Sequence, residues 1–183
     1  MEQTYRWSLR DIIVTVLVSA GLGVLWFGWT QFYEFAKGPL SAIHPGLKHI
    51  LGGFWFAGGT IIPAIIRKPG SAVIGETLAA AIEGLITQWG ITATIWGLLQ
   101  GLGSELGFAV FRYKRWDVIP FILAGALAGL VSWILEFFYE NYLSLTVDVW
   151  VVQILMSLIG GIVLAGLLGY YLVEALRKAK VIA

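Results

Sequence analysis

The sequence predicts an all-α integral membrane protein of six transmembrane helices with both termini cytoplasmic. Three observations carry this. Of the 183 residues, 58% are hydrophobic and only 13% charged, with a mean hydropathy of +0.83, whereas a soluble domain has roughly twice that charge. Apolar runs of about 20 residues, long enough to cross a hydrocarbon core of about 30 Å, recur along the chain. The basic residues fall at alternate ends of those runs.

The first helix runs from about Leu9 to Tyr33, with Thr15, Ser19 and Thr30 among its few polar residues. Arg6 and Arg10 precede its apolar run as the charged start of a signal peptide would. The apolar run from Ile12 to Trp29 is longer than a signal core, however, and further spans follow, so it is read as a transmembrane helix. Lys37-Gly38-Pro39 through His44-Pro45-Gly46 is expected to break the chain. Helix two, Leu47 to Ile66, contains Gly52-Gly53, Gly58-Gly59 and Pro63, which permit close backbone approach and a kink. Helix three spans Ser71 to Trp89, helix four Ile91 to Tyr113, helix five Val118 to Tyr142 and helix six Val147 to Leu176. No long linker or low-complexity tract interrupts them, so residues 1–183 form a single transmembrane substrate-binding domain.

Orientation follows from Lys and Arg. With the termini inside, Arg6, Arg10, Arg67, Lys68, Arg112, Lys114, Arg115, Arg177, Lys178 and Lys180 are cytoplasmic, and only Lys37 and Lys48 lie outside. The outer ends carry Glu34, Glu140, Asp148 and many aromatics. Small residues repeat at helical spacing, and the pair Ser19 and Gly23 on helix one is expected to face a second membrane subunit.

Several function classes are disfavoured. Net charge is +1, with no basic patch to suggest nucleic acid. There is no Cys, hence no disulfide or thiolate chemistry. His44 and His49 lack a nearby carboxylate set at metal-ligand spacing and read as surface residues; no metal or cofactor is expected. Gly101-Leu102-Gly103 lacks the Lys of a phosphate-binding loop, and no nucleophile and base pair is recognisable, so the chain is not read as an enzyme.

Acids inside the membrane are the informative residues, since each costs on the order of +2.5 to +3.5 kcal/mol near the bilayer centre. If helices three and four are antiparallel neighbours joined by a short turn, Glu76 is level with Glu105 and Glu83 with Gln100. Glu76 and Glu105 then share a proton, clamp helices or act as a relay. Glu83, Trp96, Gln100, Trp133, Glu136, Trp55 and Gln153 converge in the outer half. Carboxylates neutralise a cation, Trp offers cation–π attraction of about 0.5 to 2 kcal/mol, and Gln presents donor and acceptor together. Such a set suits a small cationic or heteroaromatic ligand.

Arg67-Lys68-Pro69-Gly70, then Glu76 and Glu83, then Gln100-Gly101-Leu102-Gly103-Ser104-Glu105 resemble the YkoE-type S components of energy-coupling factor (ECF) transporters. The likeness is strongest from Trp55 to Glu105. It implies a six-helix subunit of the cytoplasmic membrane that binds thiamine or a hydroxymethylpyrimidine precursor. It also implies an EcfT-like membrane coupling protein and two cytosolic ATPases as partners, which drive the subunit to topple. Ser19-x-x-x-Gly23 stands where S components present Ala-x-x-x-Ala. The rival reading is a stand-alone proton-coupled carrier or channel using the intramembrane Glu residues.

Overall fold

The computed structural model describes residues 5–182, and every regular element among them is helical. The extreme ends of the expected 1–183 domain lie outside the described residues. Helix α1 (Leu9–Ile43) opens with a capping box: Ser8 Oγ accepts from the Asp11 amide at 3.2 Å, and Asp11 Oδ2 accepts from the Ser8 amide at 2.7 Å. Its buried residues, Thr15, Ser19, Leu22, Gly23, Trp26 and Thr30, recur at three- and four-residue steps and so form one stripe.

The helix does not stop near Tyr33 as expected. It passes through Pro39 to Ile43, and the break comes at His44, whose extended backbone (φ −159°, ψ 131°) suits a residue before Pro45. The chain returns through a 3₁₀ segment (Leu47–Phe56) and α2 (Gly58–Ile66), which ends at Arg67 in the left-handed region. Helices α3 (Ser71–Ile86) and α4 (Ile91–Ala109) follow, then α5 (Val118–Tyr139), whose first turn is capped by Asp117 through the Ile119 amide. After a 3₁₀ turn at Tyr142–Ser144, α6 (Val147–Gly160), a π-helical segment (Gly161–Leu167) and α7 (Leu168–Lys178) form one continuous rod.

Four of these units are long and apolar enough to cross a membrane: Leu9–Ile43, Leu47–Ile66, Val118–Tyr139 and Val147–Lys178. Helices α3 and α4 fall outside that group, yet they pack on each other and on α1, α2 and α5, at the heart of the bundle.

The two ends of the bundle differ in chemistry. At one, Lys68 Nζ lies 2.5 Å from Asp11, Trp7 donates to Pro69 O at 3.1 Å, and Arg177 donates to Ala64 O while pairing with Glu174 at 2.9 Å. The Arg67 guanidinium lies over the Trp116 ring. At the other end Lys37 pairs with Glu34, His44 with Asp148 and His49 with Glu136.

Small residues bring the helices together inside the bundle. A Cβ placed on Gly125 would collide with the Gly161 carbonyl and one on Gly161 with that of Gly125, so only glycine fits at this crossing. Ser19 and Gly23 serve the same purpose, and the expectation that they face another subunit is corrected. Ser19 is fully buried and donates to Gly75 O at 3.0 Å; a Cβ on Gly23 would sit 2.7 Å from Ala79 O. Both belong to the α1–α3 contact.

Candidate ligand-binding site

The site is built around the 3₁₀ segment. Trp26 and Thr30 point inward because they lie on the buried stripe of α1. The Trp26 and Trp29 indoles, three residues apart, each donate at 3.0 Å to Phe54 O and Leu51 O, which are also three residues apart. At three residues per turn, positions six apart lie on the same side, so His49 and Trp55 share a face. An α-helix would have turned them roughly 120° apart.

Glu83 of α3 is only 3% exposed. Its Oε1 accepts from Trp55 Nε1 at 2.8 Å and from Thr30 Oγ1 at 3.0 Å, so α1, the 3₁₀ segment and α3 meet on one carboxylate oxygen. Tyr33 lies edge-on to Trp55, with ring centroids 5.2 Å apart.

A second polar chain starts at buried Gln100 on α4. Gln100 Nε2 donates to Ser132 Oγ at 3.0 Å, and Ser132 in turn donates to Glu136 Oε1 at 3.3 Å. The other carboxylate oxygen accepts from Tyr142 OH at 3.0 Å and lies 3.0 Å from His49 Nδ1. Burial and the Glu136 charge push the Tyr142 hydroxyl well above the ordinary tyrosine range, so it remains a donor. Trp133 donates to Gln153 Oε1 at 3.3 Å across α5 and α6, and Trp96 meets Tyr139 edge to face at 5.7 Å.

Of the residues expected to converge, Trp55 joins Glu83, and Gln100 joins Glu136. Gln100 does not reach Glu83, because α4 is shifted along α3 by more than a turn from the expected register. Gly97 lies against Ala80 and Thr77, and Gly101 against Val73. The cause is the turn: α3 ends at Ile86 rather than Trp89.

The same shift parts Glu76 from Glu105. Glu105 caps α3, its Oε1 accepting from the Gly70 amide at 2.6 Å and Tyr113 OH at 2.8 Å, its Oε2 from the Ala72 and Val73 amides at 2.9 and 3.3 Å. These are the unpaired amides of a helix start, which favour negative charge. Glu76 is completely buried, with Oε2 accepting from the Gly59 amide at 2.5 Å. A Cβ on Gly58 would sit 2.8 Å from that oxygen, so the bare backbone is what lets α2 approach the carboxyl.

His49 corrects a further expectation. It is 7% exposed and bonded into the site, not a surface residue. Thr30, Ser132 and Tyr142 were equally absent from the expected set. The i, i+4 spacing of Ser132 and Glu136 was a usable signal for one of them.

The family described as ABC-type cobalt transport system, permease component, matches residues 10–131, more than half of the chain. The chain belongs to that family. It is 29% identical over 177 residues to the "Putative HMP/thiamine permease protein YkoE" of Bacillus subtilis (strain 168), covering 96% of this chain and 87% of the relative. A solved structure described as an S-component of ECF transporter superposes with a TM-score of 0.87 at 29% identity, covering 96% of this chain and 88% of that one. The resemblance read from Arg67 through Glu105 is thus borne out: the chain has the ECF S-component fold and is a multi-pass membrane transport protein, in a family of transporters and not of enzymes. The family description mentions cobalt, but among the described residues no three His, Asp or Glu side chains are grouped so as to hold a metal ion.

Proposed function

We propose that this chain is the substrate-binding S component of an ECF vitamin transporter, one domain that crosses the cytoplasmic membrane six times with both termini inside. It captures thiamine or a hydroxymethylpyrimidine-type precursor from the outer side. The observation that carries this reading is the buried Glu83 carboxylate, held by Trp55 and Thr30 at the 3₁₀ segment, where His49 also meets the half-buried Glu136.

A carboxylate taken out of water costs several kcal/mol unless a positive charge or enough donors face it. Glu83 has two neutral donors on one oxygen. A ligand cation supplies the missing charge, and Trp55 and Tyr33 supply aromatic faces beside it. Gln100 reads a ring edge, with Ser132 and Glu136 fixing its amide. Trp96, Trp133 and Gln153 complete the walls. An EcfT-like coupling protein and two cytosolic ATPases supply the energy by which the loaded subunit topples and releases its ligand inward.

The rival, a proton-coupled carrier acting alone, needs Glu76 and Glu105 as a relay. Four hydrogen bonds that fix Glu105 as a helix cap argue against that use. The two readings separate in liposomes containing only this chain. Under an imposed proton gradient, radiolabelled thiamine or hydroxymethylpyrimidine is expected to bind without accumulating. Accumulation, or proton flux driven by either compound, would establish the carrier instead.

A further inference from the structure

We propose that His49 sets specificity, with Nε2 as the acceptor that reads an exocyclic amino donor on the ligand's heteroaromatic ring. This rests on the vitamin-binding reading above and names a contact within it. Nδ1 lies 3.0 Å from Glu136 Oε2, and since a carboxylate only accepts, the proton of that bond sits on Nδ1. With one proton on the ring and that proton on Nδ1, Nε2 carries a lone pair. It is buried and has no hydrogen-bond partner in the protein.

Its unpartnered Nε2 distinguishes His49 from the other polar groups around it. Ser132, Tyr142 and Gln100 each have partners, whereas Nε2 pays the cost of burial without one. The ring is held on both sides, by Glu136 through Nδ1 and by Tyr142, whose ring meets it edge-on at 6.0 Å. It also lies on the face of the 3₁₀ segment that carries Trp55, the indole donor to Glu83. A donor on a flat aromatic ligand would complete His49 while the ligand's charge faces the carboxylates. Glu136 and Tyr142 act here as positioning residues: they fix the tautomer, and His49 makes the contact.

A site built to hydrogen-bond one group rejects the analogue lacking it strongly, because its own buried atom is left unpaired. The probes are 4-amino-5-hydroxymethyl-2-methylpyrimidine and its 4-desamino analogue, titrated by calorimetry into the purified full chain in detergent. The wild type should favour the amino compound at least tenfold. His49→Leu should lose that preference, and His49→Gln should keep part of it, because its carbonyl can stand where Nε2 does. A folded His49→Leu variant with the full preference would overturn the proposal while leaving the vitamin-binding reading intact.

Should His49→Leu not fold, nitrogen NMR of histidine-labelled wild type decides, with His44→Gln assigning the two signals. An unprotonated Nε2 that shifts on adding the amino compound supports the proposal; a protonated Nε2, or no shift at saturation, overturns it. If neither pyrimidine nor thiamine binds the wild type, the vitamin-binding reading fails and this contact with it.

Discussion

Glu83 and Glu136 are both helix carboxylates near the 3₁₀ segment, but their surroundings differ. Glu83 is 3% exposed and bonded only by an indole and a hydroxyl, whereas the Glu136 side chain is 27% exposed and flanked by His49, Ser132 and Tyr142. The less solvated group gains more from an arriving cation. Glu83→Gln is therefore expected to weaken thiamine binding more than tenfold, about 1.4 kcal/mol, with little change in Tm; unchanged affinity by calorimetry would remove Glu83 from the site. Intramembrane acids and tryptophans stand out in an apolar sequence because each is costly there, which is why Glu83, Glu136 and Trp55 were legible. Thr30 was not, since a helix hydroxyl that bonds its own backbone has the same sequence signature. His49 was hidden by a different cause: its facing depends on three residues per turn, and nothing in Leu47–Phe56 advertises 3₁₀ geometry.

The starts of most elements were legible, while some of their ends and their registers were not. The start of α1 follows from Ser8 and Asp11, but its extension through Pro39 depends on packing and on the stop at His44-Pro45. Glu105 read as an acid in need of a partner, and three of its four partners are backbone amides that carry no sequence signal. Two stability predictions belong at this scale. Glu105→Ala removes the cap of α3 and should cost about 1 to 2 kcal/mol, seen as a Tm lower by several degrees. Its ligand affinity, normalised to folded protein, should be unchanged. Gly161→Ala forces a methyl into the Gly125 carbonyl and should destabilise by about 1 to 3 kcal/mol. Gly21→Ala, in open space on the outward face of α1, should be neutral by the same thermal measurement.

At the scale of the whole molecule, the charge pattern read from sequence reappears as two chemically distinct ends. Basic residues gather where α1 starts and α7 finishes, and acids with aromatics occupy the opposite end. In the proposed topology Lys114 faces the cytoplasm and Glu140 the exterior. The chain has no cysteine, so single replacements report cleanly. A membrane-impermeant maleimide should label Glu140→Cys in intact cells and Lys114→Cys only after permeabilisation, and the reverse pattern would invert the topology. Hydropathy showed less plainly how α3 and α4 belong to the bundle, because their small and polar residues serve contacts within the protein and not with lipid. Vitamin capture is tested most directly by titrating thiamine and hydroxymethylpyrimidine into the purified chain and following heat or tryptophan fluorescence. Saturable binding of at least one, one molecule per chain and submicromolar, is the predicted result; no binding of either up to about 1 mM, an affinity of only about −4 kcal/mol, would contradict it.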